Sequence, residues 1–85
     1  MRIDVETFEC GTEMETARKI PEEAAEAYAE WAMVMSGDWS RLDFLADELA
    51  DCVQACCNLA ARHGIDMQAA MRRCEERNRE RGRYQ

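Results

Sequence analysis

The chain has little that breaks a helix. One proline and four glycines are spread over 85 residues, which argues against a fold of many short turns and suits helices. No run of 18 apolar residues occurs, so no membrane span is expected, and nothing reads as a secretory leader. The five cysteines are odd in number and contain no CxxC pair. A disulfide framework is therefore not expected, and a reducing cytoplasm fits better. Cys52 and Cys56, four apart, could reach one metal with His63, but small buried hydrophobes are the better reading. There is no internal repeat and no low-complexity linker. A chain of this size makes one domain with a modest core, so a partner subunit is a reasonable expectation.

What is present is apolar and charged in nearly comparable measure, 47% and 34%, too apolar for a disordered chain. The net charge of −7 is divided unevenly. Residues 1–51 hold fourteen acids and four bases; residues 52–85 hold four acids and seven bases. An acidic body with a basic end argues against binding a nucleic-acid polymer through the whole surface. It suits a site holding cations in one half and anions in the other.

The pattern predicts an all-α chain, an antiparallel helical bundle completed by oligomerisation. Residues 1–18 read as an N-terminal arm, extended or a short strand, and 19–85 as the helical domain. Thr12 followed by Glu15 is a capping box that could open a short helix over about 13–19. Pro21 then kinks that helix or starts a new one. Ala24, Tyr28, Trp31 and Met35 recur at helical spacing. "SGDWS" interrupts with Gly37, and Asp38 or Ser40 can cap the next helix. Leu42, Leu45, Leu49, Cys52, Val53, Cys56 and Leu59 form one stripe ending at Gly64. Asp66 caps a last helix, about 67–81.

"PEEAAEAYAEW", residues 21–31, crowds Glu22, Glu23, Glu26 and Glu30 into two and a half turns, where like charges repel. The second long helix carries "ELAD", Glu48 and Asp51. Fold the two helices back on each other. Glu23 with Asp51 and Glu26 with Glu48 are then mirror positions about Gly37. With helix axes about 8–10 Å apart, all four carboxylates can meet. Such a cluster needs a counter-charge, and a hard divalent cation, Mg²⁺ or else Mn²⁺, supplies it with positions left for phosphate oxygens. The plain alternative is two solvated acidic faces. Glu30 has no partner in the mirrored set and reads as an ordinary surface charge.

"EEAAE", then 21 residues, then "ELAD" resembles the EExxE…ExxD pattern of the MazG-like all-α nucleoside triphosphate pyrophosphohydrolases. "LAARHGID" and the tail "RNRERGRY" are similar to that family as well. The resemblance covers about residues 18–84. It implies a helical bundle assembling as homodimers or homotetramers. It also implies Mg²⁺-dependent cleavage of a nucleoside triphosphate to monophosphate and pyrophosphate, of the kind that clears non-standard or surplus nucleotides. By position, Glu23, Glu26, Glu48 and Asp51 would be metal ligands, and one of them, directly or through water, would activate the nucleophile. Asn78, Arg81 and Tyr84 match the family's ending and would hold phosphate or sugar.

The residues themselves add Lys19, one turn before Glu23, and Arg62, three turns beyond Glu48 and Asp51, as anion holders, with Asn58 on the same side. The tail also reads simply as a solvated basic helix end, and His63 as a dipole partner beside Gly64. Tyr28, Trp31 and Trp39 read as packing or interface residues before they read as base-stacking ones. Two other functions stay open. "ARKIPEEAAE" also resembles the first motif of phosphoribosyl-ATP pyrophosphohydrolase, and the bundle could be a non-catalytic interaction protein.

Overall fold

A computed structural model describes all residues, 1–85. It is all-helical: α1 (Glu13–Met35), a 3₁₀ turn (Trp39–Arg41), α2 (Leu42–Arg62) and α3 (Met67–Glu80). Residues 1–10 form no strand despite their weak alternation; they run as an extended arm. The last helix ends at Glu80, one residue short of the expectation.

Half of the capping box forms: Glu15 N–H donates to Thr12 Oγ1 at 3.2 Å, and the Glu15 carboxylate takes the Thr12 hydroxyl at 3.0 Å in place of its backbone N–H. The helix it opens does not stop at residue 19. Pro21 lies inside a continuous 23-residue α1, so 13–18, expected in the arm, are its first turns. Proline removes one backbone bond here, and the packing of α1 along α2 holds the helix through it. At the other end Gly37, at φ 112°, takes the left-handed conformation. Its N–H donates to Val34 O and that of Asp38 to Met33 O. The chain thereby reverses within three residues, and α2 returns antiparallel. Asp38 contributes no side-chain cap to the backbone; its carboxylate takes the Ser40 hydroxyl instead. Asp66 does cap α3, accepting from Ala69 N–H at 3.0 Å.

The seam between α1 and α2 is a heptad-like series. On α1 it is Thr16, Ile20, Glu23, Ala27, Glu30 and Val34; on α2 it is Arg41, Leu45, Glu48, Cys52, Ala55 and Leu59. All twelve are buried or half-buried, and the steps alternate four and three. Three of the twelve are carboxylates. The expected α1 stripe, Ala24, Tyr28, Trp31 and Met35, lies one residue past the seam positions, about 100° round the helix. It is exposed, so of the two readings of Tyr28 and Trp31, packing within the chain or an interface, the first is corrected. Leu42, Leu49, Val53 and Cys56 of α2 stand in the same relation to their seam and are exposed too; Leu45, Cys52 and Leu59 of that stripe are the ones that pack.

In antiparallel helices, equal rotation from a shared seam leads to the same side. One side of the hairpin is therefore apolar, with Tyr28 at 69% and Leu49 at 52% exposure. One residue before the seam lie Lys19, Glu22, Glu26, Asp51, Gln54 and Asn58, which make the other side polar. The arm docks on that polar side through its backbone. Gln54 donates to Glu6 O at 2.9 Å, Phe8 N–H donates to Asn58 Oδ1 at 3.1 Å, and Arg62 donates to Gly11 O at 3.0 Å.

Only six residues are buried: Thr16, Ala27, Val34, Ala55, Asn58 and Ala60. The radius of gyration is 15.0 Å, against about 12 Å for a compact domain of this length. The single chain leaves its apolar face uncovered. No helix is long and apolar enough to cross a membrane, and all five cysteines are free.

Candidate metal centre

Midway along the seam, Glu23 of α1 faces Glu48 of α2, and Glu26 reaches in from the polar side. Oxygens of the three lie within 4.8 Å of one another. Glu23 Oε2 and Glu48 Oε2 are buried and have no hydrogen-bond partner. Asp51, one turn beyond Glu48, stays exposed and outside this tight group, yet close enough for its charge to act on both Glu23 and Glu48.

Burial pushes the Glu23 carboxyl above its ordinary range, and the neighbouring Glu26 pushes it further. Glu48 is raised for the same two reasons, burial first and Glu26 next. Carboxylates this close cannot all remain ionised without a counter-charge. Cys52, in the next seam position, is likewise raised by burial and then by its neighbours, Cys56 and the carboxylates. The only nearby protein cation is Lys19, 3.9 Å from Glu23 and 3.7 Å from Glu22, with half its side chain in solvent.

The donor set consists of hard oxygens only, which suits Mg²⁺ or Mn²⁺ rather than a soft metal. Opposite oxygens around Mg²⁺ stand about 4 Å apart, so the observed spacing needs only a small side-chain adjustment. Two orphaned carboxylate oxygens are what such an ion would satisfy.

The other expected ligand holders sit elsewhere. Arg62 is occupied by Glu13 at 2.7 Å and by Gly11 O. It ties the start of α1 and the arm to the end of α2, and His63 meets the same Glu13 at 2.5 Å. Those two bonds, that from His63 foremost, hold the Glu13 carboxyl below its ordinary range. Asn58 is buried as the arm's acceptor. The tail makes its own local set. Arg83 donates to Asn78 at 3.1 Å, Asn78 donates to Cys74 Sγ at 3.6 Å, and the Arg79 guanidinium lies over the Tyr84 ring. Arg81 ends α3 through its backbone. No hydrogen bond or ion pair joins Asn78, Arg81 or Tyr84 to the acidic layer.

Glu30 is not the ordinary surface charge its lack of a mirrored partner suggested. Its carboxylate receives two bonds from Arg41, at 2.7 and 2.6 Å, and Arg41 also lies 4.6 Å from the Phe44 ring centre. The sequence signal was there: Glu30 lies seven residues after Glu23, and Arg41 seven before Glu48, so the pair repeats the site's geometry one heptad along. Comparison with known proteins found no match to any family model, curated protein or solved structure.

Proposed function

We propose that this chain is a Mg²⁺-dependent nucleoside triphosphate pyrophosphohydrolase. The observation that carries the reading is the Glu23–Glu48 layer, two buried carboxylates facing each other with orphaned oxygens and a third, Glu26, beside them. In this reading Glu23, Glu26, Glu48 and Asp51 hold the ion. Bound there, the ion would stabilise charge on phosphate oxygens and lower the pKa of water. The layer opens toward the polar side, where Glu26 and Asp51 are exposed and a triphosphate can approach. Lys19 borders that opening and would meet a phosphate once released from Glu22 and Glu23. Asn78, Arg81 and Tyr84 would act on phosphate or sugar if a neighbouring subunit brings them to the site.

A second copy of the chain would cover the apolar face, since two hairpins joined on such faces form a four-helix bundle. Sedimentation should give a dimer or tetramer that Trp31→Asp dissociates. A wild-type monomer at micromolar concentration would reject this assembly.

The deciding experiment measures pyrophosphate release from a panel of ribo- and deoxynucleoside triphosphates and phosphoribosyl-ATP, with and without Mg²⁺. Release from a triphosphate only with the ion supports the proposal. Release from phosphoribosyl-ATP alone moves the activity to that related enzyme class. No release from any substrate leaves the helical interaction protein, a reading that the uncovered apolar face also favours.

A further inference from the structure

We propose that Glu30 and Arg41 are a positioning pair that fixes the sliding register of α1 against α2, so that the three carboxylates meet one heptad away. The inference rests on the reading of the acidic layer as a cation site. The two layers are about 10 Å apart along the helices. Between them the seam packs Ala27 level with Leu45, and beyond the acidic layer Ile20 with Cys52 and Thr16 with Ala55, contacts without a directional bond across the seam, which do not single out one axial position. In such seams a single polar pair is the feature that selects one register.

Arg41 suits that role. Its fork takes both Glu30 oxygens, a geometry only one axial position allows. Phe44 lies beside the guanidinium, and Asp38 adds its charge from the turn. The residue also immediately precedes α2 as its N-cap, where the chain has just reversed. A one-turn slide would carry Arg41 toward Glu26 and pull Glu48 out of line with Glu23. Neither Glu30 nor Arg41 belongs to the group of closely spaced oxygens, so neither touches the ion.

The test uses the full chain with Mn²⁺ as probe, binding followed by electron paramagnetic resonance. Glu30→Gln, Arg41→Gln and the charge-swapped double variant Glu30→Arg/Arg41→Glu are compared, and helix content is followed by circular dichroism. The single variants should bind Mn²⁺ about tenfold or more weakly at unchanged helix content, and the swap should return within about threefold of wild type. Pyrophosphate release by the single variants should recover at high Mg²⁺, which lost stability alone would not produce. Single variants that bind like wild type overturn the pin and leave the cation site standing.

If wild type itself binds no Mn²⁺, the cation site fails. The register is then judged by cross-helix nuclear Overhauser contacts of Ala27: altered in the singles and restored in the swap supports the pin, unchanged in all three overturns it. Should the singles unfold, Arg41→Lys keeps the charge and loses the fork. Weak Mn²⁺ binding by that folded variant supports the pin, and full binding rejects it.

Discussion

Glu23 and Glu30 are the same residue type in the same seam position, one heptad apart. Their side chains are buried alike, 15% and 18% exposed. Their environments act in opposite directions. Burial raises the Glu23 carboxyl, whereas the hydrogen bonds from Arg41 hold Glu30 below its ordinary range. The difference lies across the seam, where Glu30 meets an arginine and Glu23 meets Glu48. Burial pushes both carboxyls upward; at Glu30 the hydrogen bond from the facing arginine reverses the push, and at Glu23, with no arginine across the seam, the neighbouring Glu26 adds to it. One layer carries its own cation and the other lacks one, which is why the second is the candidate for a cation from solution.

The strongest way to break the contrast is to copy one layer into the other. Glu48→Arg places an arginine opposite Glu23, as Arg41 lies opposite Glu30. Metal binding should vanish, pyrophosphate release should fall about 1,000-fold or more, and the metal-free protein should melt higher by several degrees. A variant that kept both activity and Mg²⁺ affinity would show that the acidic layer is not the site. Glu48→Gln, which removes the charge without replacing it, should cost more activity than Asp51→Asn. Glu48 belongs to the tight group and Asp51 stands at its edge.

Supplying the missing cation is the next largest perturbation. A ligand that binds only the folded chain stabilises it by about 2.7 kcal/mol at a hundred times its dissociation constant. In a domain of this size that is a rise in Tm of roughly 10–20 °C. The rise should be absent in Glu48→Arg, and retained in a variant changed only at His63, which belongs to the Glu13 clamp. Equal stabilisation of wild type and Glu48→Arg by Mg²⁺ would mean the ion acts elsewhere.

The part of this contrast legible in sequence was the numerical part. Helical period, the turn at Gly37 and mirror positions about it bring Glu23, Glu26 and Glu48 together. The observed register differs from the mirror by three residues, with Glu23 level with Glu48 in place of Asp51, because a short turn confines an antiparallel hairpin to neighbouring registers without choosing one. Rotation about each helix axis was not legible. The apolar stripe of α1 pointed to Tyr28 and Trp31 as packing or interface residues without saying which; within the chain the helix is turned by about 100° and encloses Glu23 and Glu30 instead. Hydrophobicity favours the stripe. The seam instead sets a small residue on one helix against a larger one on the other, Ala27 level with Leu45, Cys52 with Ile20 and Ala55 with Thr16, and Arg41 neutralises one of the two glutamates so enclosed. Of the two readings of Pro21, a kink within one helix or the start of a new one, the second fails: α1 runs on through it, held by its packing along α2. The arm's dock was also missed, because it runs through backbone atoms of residues 6, 8 and 11, and backbone atoms have no sequence signature.

Acidity should sharpen the contrast with the smallest effect of all, since the layers respond with opposite sign. Glu23 and Glu48 have folded values above the ordinary glutamate value of 4.5, so between that value and their raised values the folded chain holds more protons than the unfolded one. Stability then declines as pH rises through this window, and the penalty is complete above it. Glu30, Glu13 and Glu75 are held low by Arg41, by His63 with Arg62, and by Arg2. Their contribution is present above 4.5 and is lost as pH falls through their lowered values. The metal-free protein should therefore melt highest at mildly acidic pH and lower at neutrality, with a decline again in stronger acid. Saturating Mg²⁺ should remove the decline toward neutrality, Glu48→Gln should shrink it, and both should leave the acid limb, which Arg41→Gln should shrink. A melting profile with no neutral-side decline in metal-free wild type would mean that Glu23 and Glu48 are not held in mutual repulsion, and the two layers would then differ in composition without differing in charge state.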